Sequence, residues 1–241
     1  ICNKKLKNME VAYMFTNSDF KVELMNGEDV KSFIKRHGDF SRVCYNTPEH
    51  RAEGCGLHCL KSGHLSGSRH LYFEFRITNV PRHMIDQLVR HEVGITKNVQ
   101  SLRYVDKSNM SIYFPPEVVN DINLLADFKT MEMELKVFHE RIKQQLIEKG
   151  ITNKERVNEI CRTFIPIGVS SSCSFACNLE GLINLCHKRL CTRAEQPIRL
   201  VVQAMVKAVL EVEPRYKEFL VPQCEYLGRC PEGKHGCGRV K

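Results

Sequence analysis

The sequence predicts an α+β fold, a small mixed sheet covered by several helices, and three observations carry that expectation. Residues 70–78 alternate between faces, with Leu71, Phe73, Phe75 and Ile77 on one side and His70, Tyr72, Glu74, Arg76 and Thr78 on the other. That is the period-two pattern of a strand with one face on a core. Beyond Pro115-Pro116 apolar residues recur at helical spacing, and the strand and helix patterns are segregated rather than alternating as βαβ units, as in an α+β or layered α/β protein.

The elements follow in order. Pro81 occupies a good first helical position, and Met84, Ile85, Leu88 and Val89 repeat at helical spacing, so a short helix is expected to about Arg90. That helix delivers Arg90 and His91 at its end. Val118 to Glu148 reads as one or two long helices with Leu125, Phe128, Leu135, Phe138, Ile142 and Leu146 inward, ended by Gly150. Thr152-Asn-Lys-Glu155 has the form of a capping box opening a helix to about Arg162, which Pro166 and Gly168 stop. Residues 178–191 and 197–210 read as two further helices, the second with Ile198, Val201, Val202, Met205 and Val209 on one side. We expect one compact domain over residues 1–222 and a cysteine-rich tail over 223–241.

Composition narrows the class. A chain of 241 residues with 42% hydrophobic and 27% charged residues is ordinary for a soluble globular protein. No apolar run of 18 residues occurs, and residues 1–10 are polar and lysine-rich, so a cytoplasmic protein with no membrane association is expected. The net charge of +8 favours anionic partners. Without a long basic run or any tryptophan, however, the pattern of a nucleic-acid platform is weak. Twelve cysteines in a chain of this size and setting read as reduced thiols. Cys44, Cys161, Cys173, Cys177, Cys186 and Cys191 stand among apolar residues, where a thiol behaves as a small buried hydrophobe. No Gly-rich dinucleotide fingerprint or P-loop is present, so any nucleotide must be held by side chains and helix ends.

Polar chemistry is densest in residues 87–104, where Gln87, Arg90, His91, Asn98, Gln100, Ser101 and Arg103 fall within eighteen positions. Such a set suits bidentate phosphate clamping and reading of a base's polar edge, although a solvated loop has the same composition.

Three linked motifs resemble the flavin-dependent thymidylate synthases. Gln87-Leu-Val-Arg90-His91 and Asn98-Val-Gln-Ser101-Leu-Arg103-Tyr104 are similar to that family's Arg-His-Arg signature and its Asn-Glu-x-Ser-x-Arg-Tyr continuation. Upstream, Lys61-Ser-Gly-His64-Leu-Ser66 leads to His70, and downstream Arg162, Asn178, Asn184, Arg189-Leu-Cys-Thr-Arg193-Ala and Ile198-Arg199 follow the family order. The resemblance covers residues 42–220. It implies reductive methylation of dUMP at C5, with methylenetetrahydrofolate as carbon donor, FAD as hydride carrier and NADPH as its reductant, in a homotetramer with shared active sites. By the same resemblance Gln87, Arg90, Ser101, Arg103, Arg162 and Arg189 form the nucleotide set, and His64, Ser66, His91, Asn98, Asn178 and Asn184 neighbour the flavin. Arg189 would activate the base, since a guanidinium near a uracil carbonyl stabilises the charge that develops on nucleophilic addition. No protein nucleophile is then needed.

The sequence departs from the family at Glu92, which replaces the signature's second arginine, with eight residues before Ser101 instead of seven. Val99 replaces a glutamate, and Glu180 stands where an arginine usually follows Asn178. A carboxylate facing a diphosphate is repulsive, which leaves three readings: the charge is supplied by Lys97 or by a basic residue such as Arg69 of another subunit, the ligand differs, or catalysis is altered or lost while a nucleotide is still bound. The tail offers Cys224, Cys230, His235 and Cys237, the ligand count of a structural zinc site, without paired Cys-x-x-Cys spacing; a Gly-rich surface tail has the same residues. Cys55 and Cys59, with His58 between them, form a second, weaker candidate.

Overall fold

The computed structural model describes residues 20–240, so the polar stretch over residues 1–10 lies outside the described residues. The chain divides into two units, one built on residues 78–85 and 99–173, the other on 22–77, 86–98 and 174–241.

Strands β1 (Lys21–Leu24), β2 (Tyr72–Pro81), β3 (Ile95–Val99) and β4 (Ser170–Asn178) form a sheet of order β1-β2-β4-β3. The Asn178 amide donates to Gly94 O and the Gln100 amide to Ser172 O, a register in which β3 and β4 run antiparallel. The period-two reading is realised in β2: Phe73, Phe75 and Ile77 are buried while Tyr72, Glu74 and Arg76 are exposed. Pro81 closes β2 instead of opening the next helix. Having no amide hydrogen, it marks the end of the ladder as well as it would a helical first turn.

In the larger unit, helices α1 (Gly27–Val30), α2 (Phe33–Tyr45) and α3 (Ala52–Lys61) precede β2. The Phe73 ring meets Phe33 at 5.2 Å and Tyr216 at 5.7 Å, both edge to face. In the smaller unit α4 (Arg82–Leu88) begins, running on past residue 85, and it also holds α5 (Pro116–Val119), α6 (Ile122–Glu148) and α7 (Lys154–Cys161). The predicted long helix is thus two, one short and one of 27 residues. Its most covered positions are Glu132 and His139, not the apolar residues expected inward, and Phe138 stays 36% exposed with its ring against Phe164. Leu125, Phe128 and Leu135 are half-buried against the core of Met110, Ile112, Phe114, Val118 and Val169. The cap of α7 is Asn153, whose side chain accepts from the Arg156 amide, one residue later than the capping box at Thr152 predicts.

Helices α8 (Leu179–Arg189), α9 (Gln196–Val212) and α10 (Gln223–Leu227) complete the larger unit. Ile198, Val201, Val202, Met205 and Val209 are all fully buried, the stripe read from the sequence. Cys161, Cys173, Cys177 and Cys186 are buried thiols, Cys191 is half-buried, and Cys44 is exposed because its turn of α2 faces outward. Among the described residues no helix is long and apolar enough to cross a membrane.

Candidate active site

In the larger unit, Arg189 ends α8, where its positive charge suits the negative end of the helix dipole. Its Nε donates to His91 Nε2 at 2.9 Å and its Nη1 to Gln87 Oε1 at 3.4 Å. The Gln87 amide nitrogen in turn donates to the Glu195 carboxylate. Because His91 accepts through Nε2, its ring must be neutral. Burial first, then the charges of Arg189, Lys188 and Lys97, push its pKa down to about 4. Burial and the charge of Arg90 pull the Arg189 pKa down, against the upward pull of Glu195. Lys97 donates to the carbonyl oxygens of Val89 and His91 and so ties down the backbone that follows α4.

The residues expected near a flavin lie in the same unit. Asn178 is buried and caps α8, its Oδ1 accepting from the Gly181 amide at 2.9 Å. It packs on Gly94, whose φ of +67° and lack of Cβ are both required, because a Cβ there would stand 2.2 Å from Asn178 Oδ1. Glu180, the acidic departure in the first turn of α8, is held bidentately by Arg69 of the same chain, at 2.6 Å and 3.2 Å. The pair is neutral, so this position presents no net negative charge and in that respect fits a phosphorylated cofactor. His64 and Ser66 are exposed, His64 beside His50, Cys55 and His58 around a cavity of about 610 Å³. Asn98 is exposed beside Thr96 and Lys97, and Asn184 is exposed on α8.

The smaller unit holds Ser101, Arg103 and Arg162, the remaining residues that the sequence motifs single out. Ser101 Oγ accepts from the Arg103 amide at 3.2 Å, and Asn158 Nδ2 donates to Arg103 O at 2.9 Å, which fixes the 101–103 turn against α7. The Arg103 guanidinium lies over the Tyr104 ring and 3.5 Å from Glu155. Glu159 draws the same cations together, its carboxyl held below the usual range by Arg156 first and also by Arg103 and Arg162. Lys107 donates to Gln100 Oε1 and Ser170 O, and burial, with Arg82 nearby, lowers its pKa.

Gln87, Arg90, His91 and Arg189 are therefore gathered in one unit, and Ser101, Arg103 and Arg162 in the other. Sequence reasoning missed their anchors Glu195, Asn158, Glu155 and Glu159. The signal for Glu195 was present, an acidic residue just ahead of Gln196-Pro197 at a helix start. Of the tail candidates, Cys224, Cys230 and Cys237 line one cavity and His235 does not. Among the described residues no three His, Cys, Asp or Glu side chains are poised to hold a metal.

An α+β scaffold that fixes arginines by glutamine, neutral histidine and carboxylates, with neither P-loop nor nucleophile motif, suits an anionic ligand held by side chains. Residues 35–215 match the family described as thymidylate synthase complementing protein, and the chain belongs to that family. It is 34% identical over 181 residues to the flavin-dependent thymidylate synthase of Nitratidesulfovibrio vulgaris, covering 75% of this chain and 73% of the relative. It is 32% identical over 185 residues to that of Clostridium tetani, with 74% of each chain covered. The Pyrococcus abyssi enzyme of the same name is 31% identical over 179 residues, covering 70% of this chain and 69% of the relative.

Proposed function

We propose that the protein is a flavin-dependent thymidylate synthase that methylates dUMP at C5 to give dTMP, taking the carbon from methylenetetrahydrofolate and the reducing equivalents from NADPH. The observation that carries this reading is the fixed Arg189, clamped by neutral His91 and by a Gln87 that Glu195 orients. An arginine held in this way meets a uracil carbonyl without reorganising, the condition under which a donor stabilises developing charge best. Since His91 carries no charge of its own at neutral pH, the positive charge of Arg189 is not shared with an imidazolium.

In this reading Gln87, Arg90, Ser101, Arg103, Arg162 and Arg189 bind the nucleotide, the arginines on phosphate and base carbonyls. His64, Ser66, His91, Asn98, Asn178 and Asn184 surround the flavin, Asn178 acting by shaping the 93–95 turn through its cap and its contact with Gly94. FAD, when bound, supplies the hydride chemistry. The chain's own residues orient the base and stabilise charge on it, and no thiol is called on as nucleophile. The working form is a homotetramer with shared sites in the cytoplasm, and residues 1–222 act as the catalytic domain with 223–241 as its tail.

The test is the visible absorption spectrum of the purified protein with FAD, before and after dUMP, followed by the dUMP-to-dTMP assay on wild type and on Arg189→Ala. Retained flavin absorbance perturbed by dUMP, with turnover reduced roughly 100- to 1,000-fold in the variant, is the expected result. A colourless wild-type protein that still binds dUMP would overturn the assignment.

A further inference from the structure

The segment between α3 and β2, in the larger unit, carries three side chains that bear on the cofactor: His64 and Ser66 in the proposed function, and Arg69, which neutralises Glu180. All three are exposed, while Gly67 and Ser68 among them are buried. The segment therefore has an outer face that can meet a ligand and an inner face that rests on the fold. Its backbone bonds are short-range. The Ser68 Oγ and amide both donate to Leu65 O, at 2.6 Å and 3.0 Å, the Leu71 amide donates to Ser68 O at 3.1 Å, and the His64 amide reaches back to Cys59 O at 2.8 Å. Such bonds shape the turn without fixing it on the neighbouring elements.

The inner face rests on α2. A Cβ at residue 67 would stand 2.5 Å from Ser41 Oγ, 2.6 Å from His37 Cδ2 and 2.8 Å from His37 O, so only glycine there lets the turn lie this close to the helix. His37, 1% exposed, places its Nε2 3.1 Å from His64 O, across 27 residues of chain. A carbonyl oxygen only accepts, so Nε2 carries the proton and donates. Burial lowers the pKa of this histidine against the opposing pull of that bond, which leaves the ring neutral at neutral pH. Its other nitrogen, Nδ1, is buried and has no hydrogen-bond partner among the described residues. A buried polar atom without a partner costs stability, and an apolar side chain in this place would avoid that cost. What accounts for a histidine here is therefore the bond made by Nε2, not the packing of α2.

We propose that His37 is a positioning residue for flavin binding: from inside α2 it holds the 64–70 segment by the His64 carbonyl, so that His64, Ser66 and Arg69 are presented outward in fixed places. This rests on the reading of His64 and Ser66 as flavin neighbours. A site on a loop is only as precise as the groups that seat it, and here one long-range hydrogen bond and the glycine contact provide the seat. The ring of Phe40, stacked on His70 at 4.4 Å, supports the far end of the same segment from the same helix. The buried polar positions of α2, His37 and Ser41, thus have a common purpose, since both meet Gly67.

The experiment compares wild type, His37→Leu, His37→Gln and Gly67→Ala as full chains in three measurements: FAD titration, amide hydrogen exchange of the 62–71 segment by mass spectrometry, and thermal melting. His37→Leu removes the bond together with the unpartnered nitrogen, so it should keep the wild-type melting temperature or raise it. It should nevertheless speed exchange at the 64, 68 and 71 amides and weaken FAD binding on the order of three- to tenfold, the worth of one hydrogen bond. His37→Gln, whose amide nitrogen can donate to His64 O, should restore both toward wild type. Gly67→Ala lifts the turn with His37 intact and should loosen the same amides and weaken FAD. Lys35→Ala, on the exposed face of α2, should change neither. Unchanged exchange in His37→Leu, faster exchange with unchanged FAD affinity, or an FAD loss that follows lost thermal stability and is not rescued by glutamine would each overturn the proposal. A wild type without FAD affinity would instead overturn the proposed function, and the exchange measurement alone would then decide whether His37 seats the segment.

Discussion

Replacing His91 by glutamine probes the clamp on Arg189 through its pH dependence. The folded pKa of His91 is about 4 against 6.5 for a free imidazole, so below about pH 6.5 the unfolded chain binds a proton that the folded chain refuses. The stabilisation from a neutral His91 is therefore fully present above about pH 6.5 and is lost as pH falls toward 4. Between pH 7.5 and pH 5 the linkage amounts to about 2 kcal/mol at 1.36 kcal/mol per unit. His91 is only half-buried, and solvent screening reduces this to about 1 kcal/mol. Glutamine can still accept from Arg189 Nε but does not titrate. Urea denaturation at both pH values should show the wild type losing about 1 kcal/mol more than His91→Gln on acidification. His37, His139 and His187, which burial also pushes down, contribute to both proteins and cancel. Identical pH dependence in the two proteins would refute the neutral-acceptor geometry. A wild type that gained stability on acidification relative to the variant would mean that His91 is charged in the fold.

Two further outcomes follow from contacts already described. Arg69→Ala should weaken FAD binding on the order of tenfold by exposing the Glu180 carboxylate to the diphosphate, and Glu180→Gln added to it should restore affinity in a flavin titration; no change in the single variant would place the pair away from the phosphates. Gly94→Ala should lower stability by about 2–3 kcal/mol, from its positive φ and the collision with the Asn178 cap, with Asn178→Ala costing about 1 kcal/mol and the double variant less than their sum in thermal melts.

What could be read from the sequence was whatever followed apolar periodicity. β2 and α9 bury large side chains at regular spacing, and both stood out. β4 did not, because its inward positions are Ser171, Cys173, Phe175 and Cys177, an alternation that becomes visible only when cysteine and serine count as core residues. α2 was hidden for a related reason: its buried face includes His37, Gly38 and Ser41, and the helix lies so close to α3 that a Cβ at Gly38 would stand 1.6 Å from Ala52 O. At the site, individual residues were legible from short motifs. Their partners were not, since Gln87 and Glu195 are 108 positions apart and Arg69 and Glu180 are 111. Local spacing carries no information about such pairs.

The same pairing bears on the two acidic departures from the family pattern, which are not equivalent. Glu180 is only about a quarter exposed and would repel a diphosphate strongly if alone, but Arg69 neutralises it within the chain, so no partner subunit's cation has to be invoked for that position. Lys97 is held against the carbonyl oxygens of Val89 and His91, which fixes its position and leaves its positive charge in place. Glu92 is exposed on the turn after α4. A unit charge at about 4 Å in water interacts with another by about 1 kcal/mol, and at physiological salt the interaction fades beyond roughly 8 Å. Glu92 can thus weaken an anionic ligand by less than about tenfold. Glu92's own repulsion is therefore modest, and the attraction lost with the signature's second arginine is a separate quantity, which a flavin titration of Glu92→Arg against wild type measures directly.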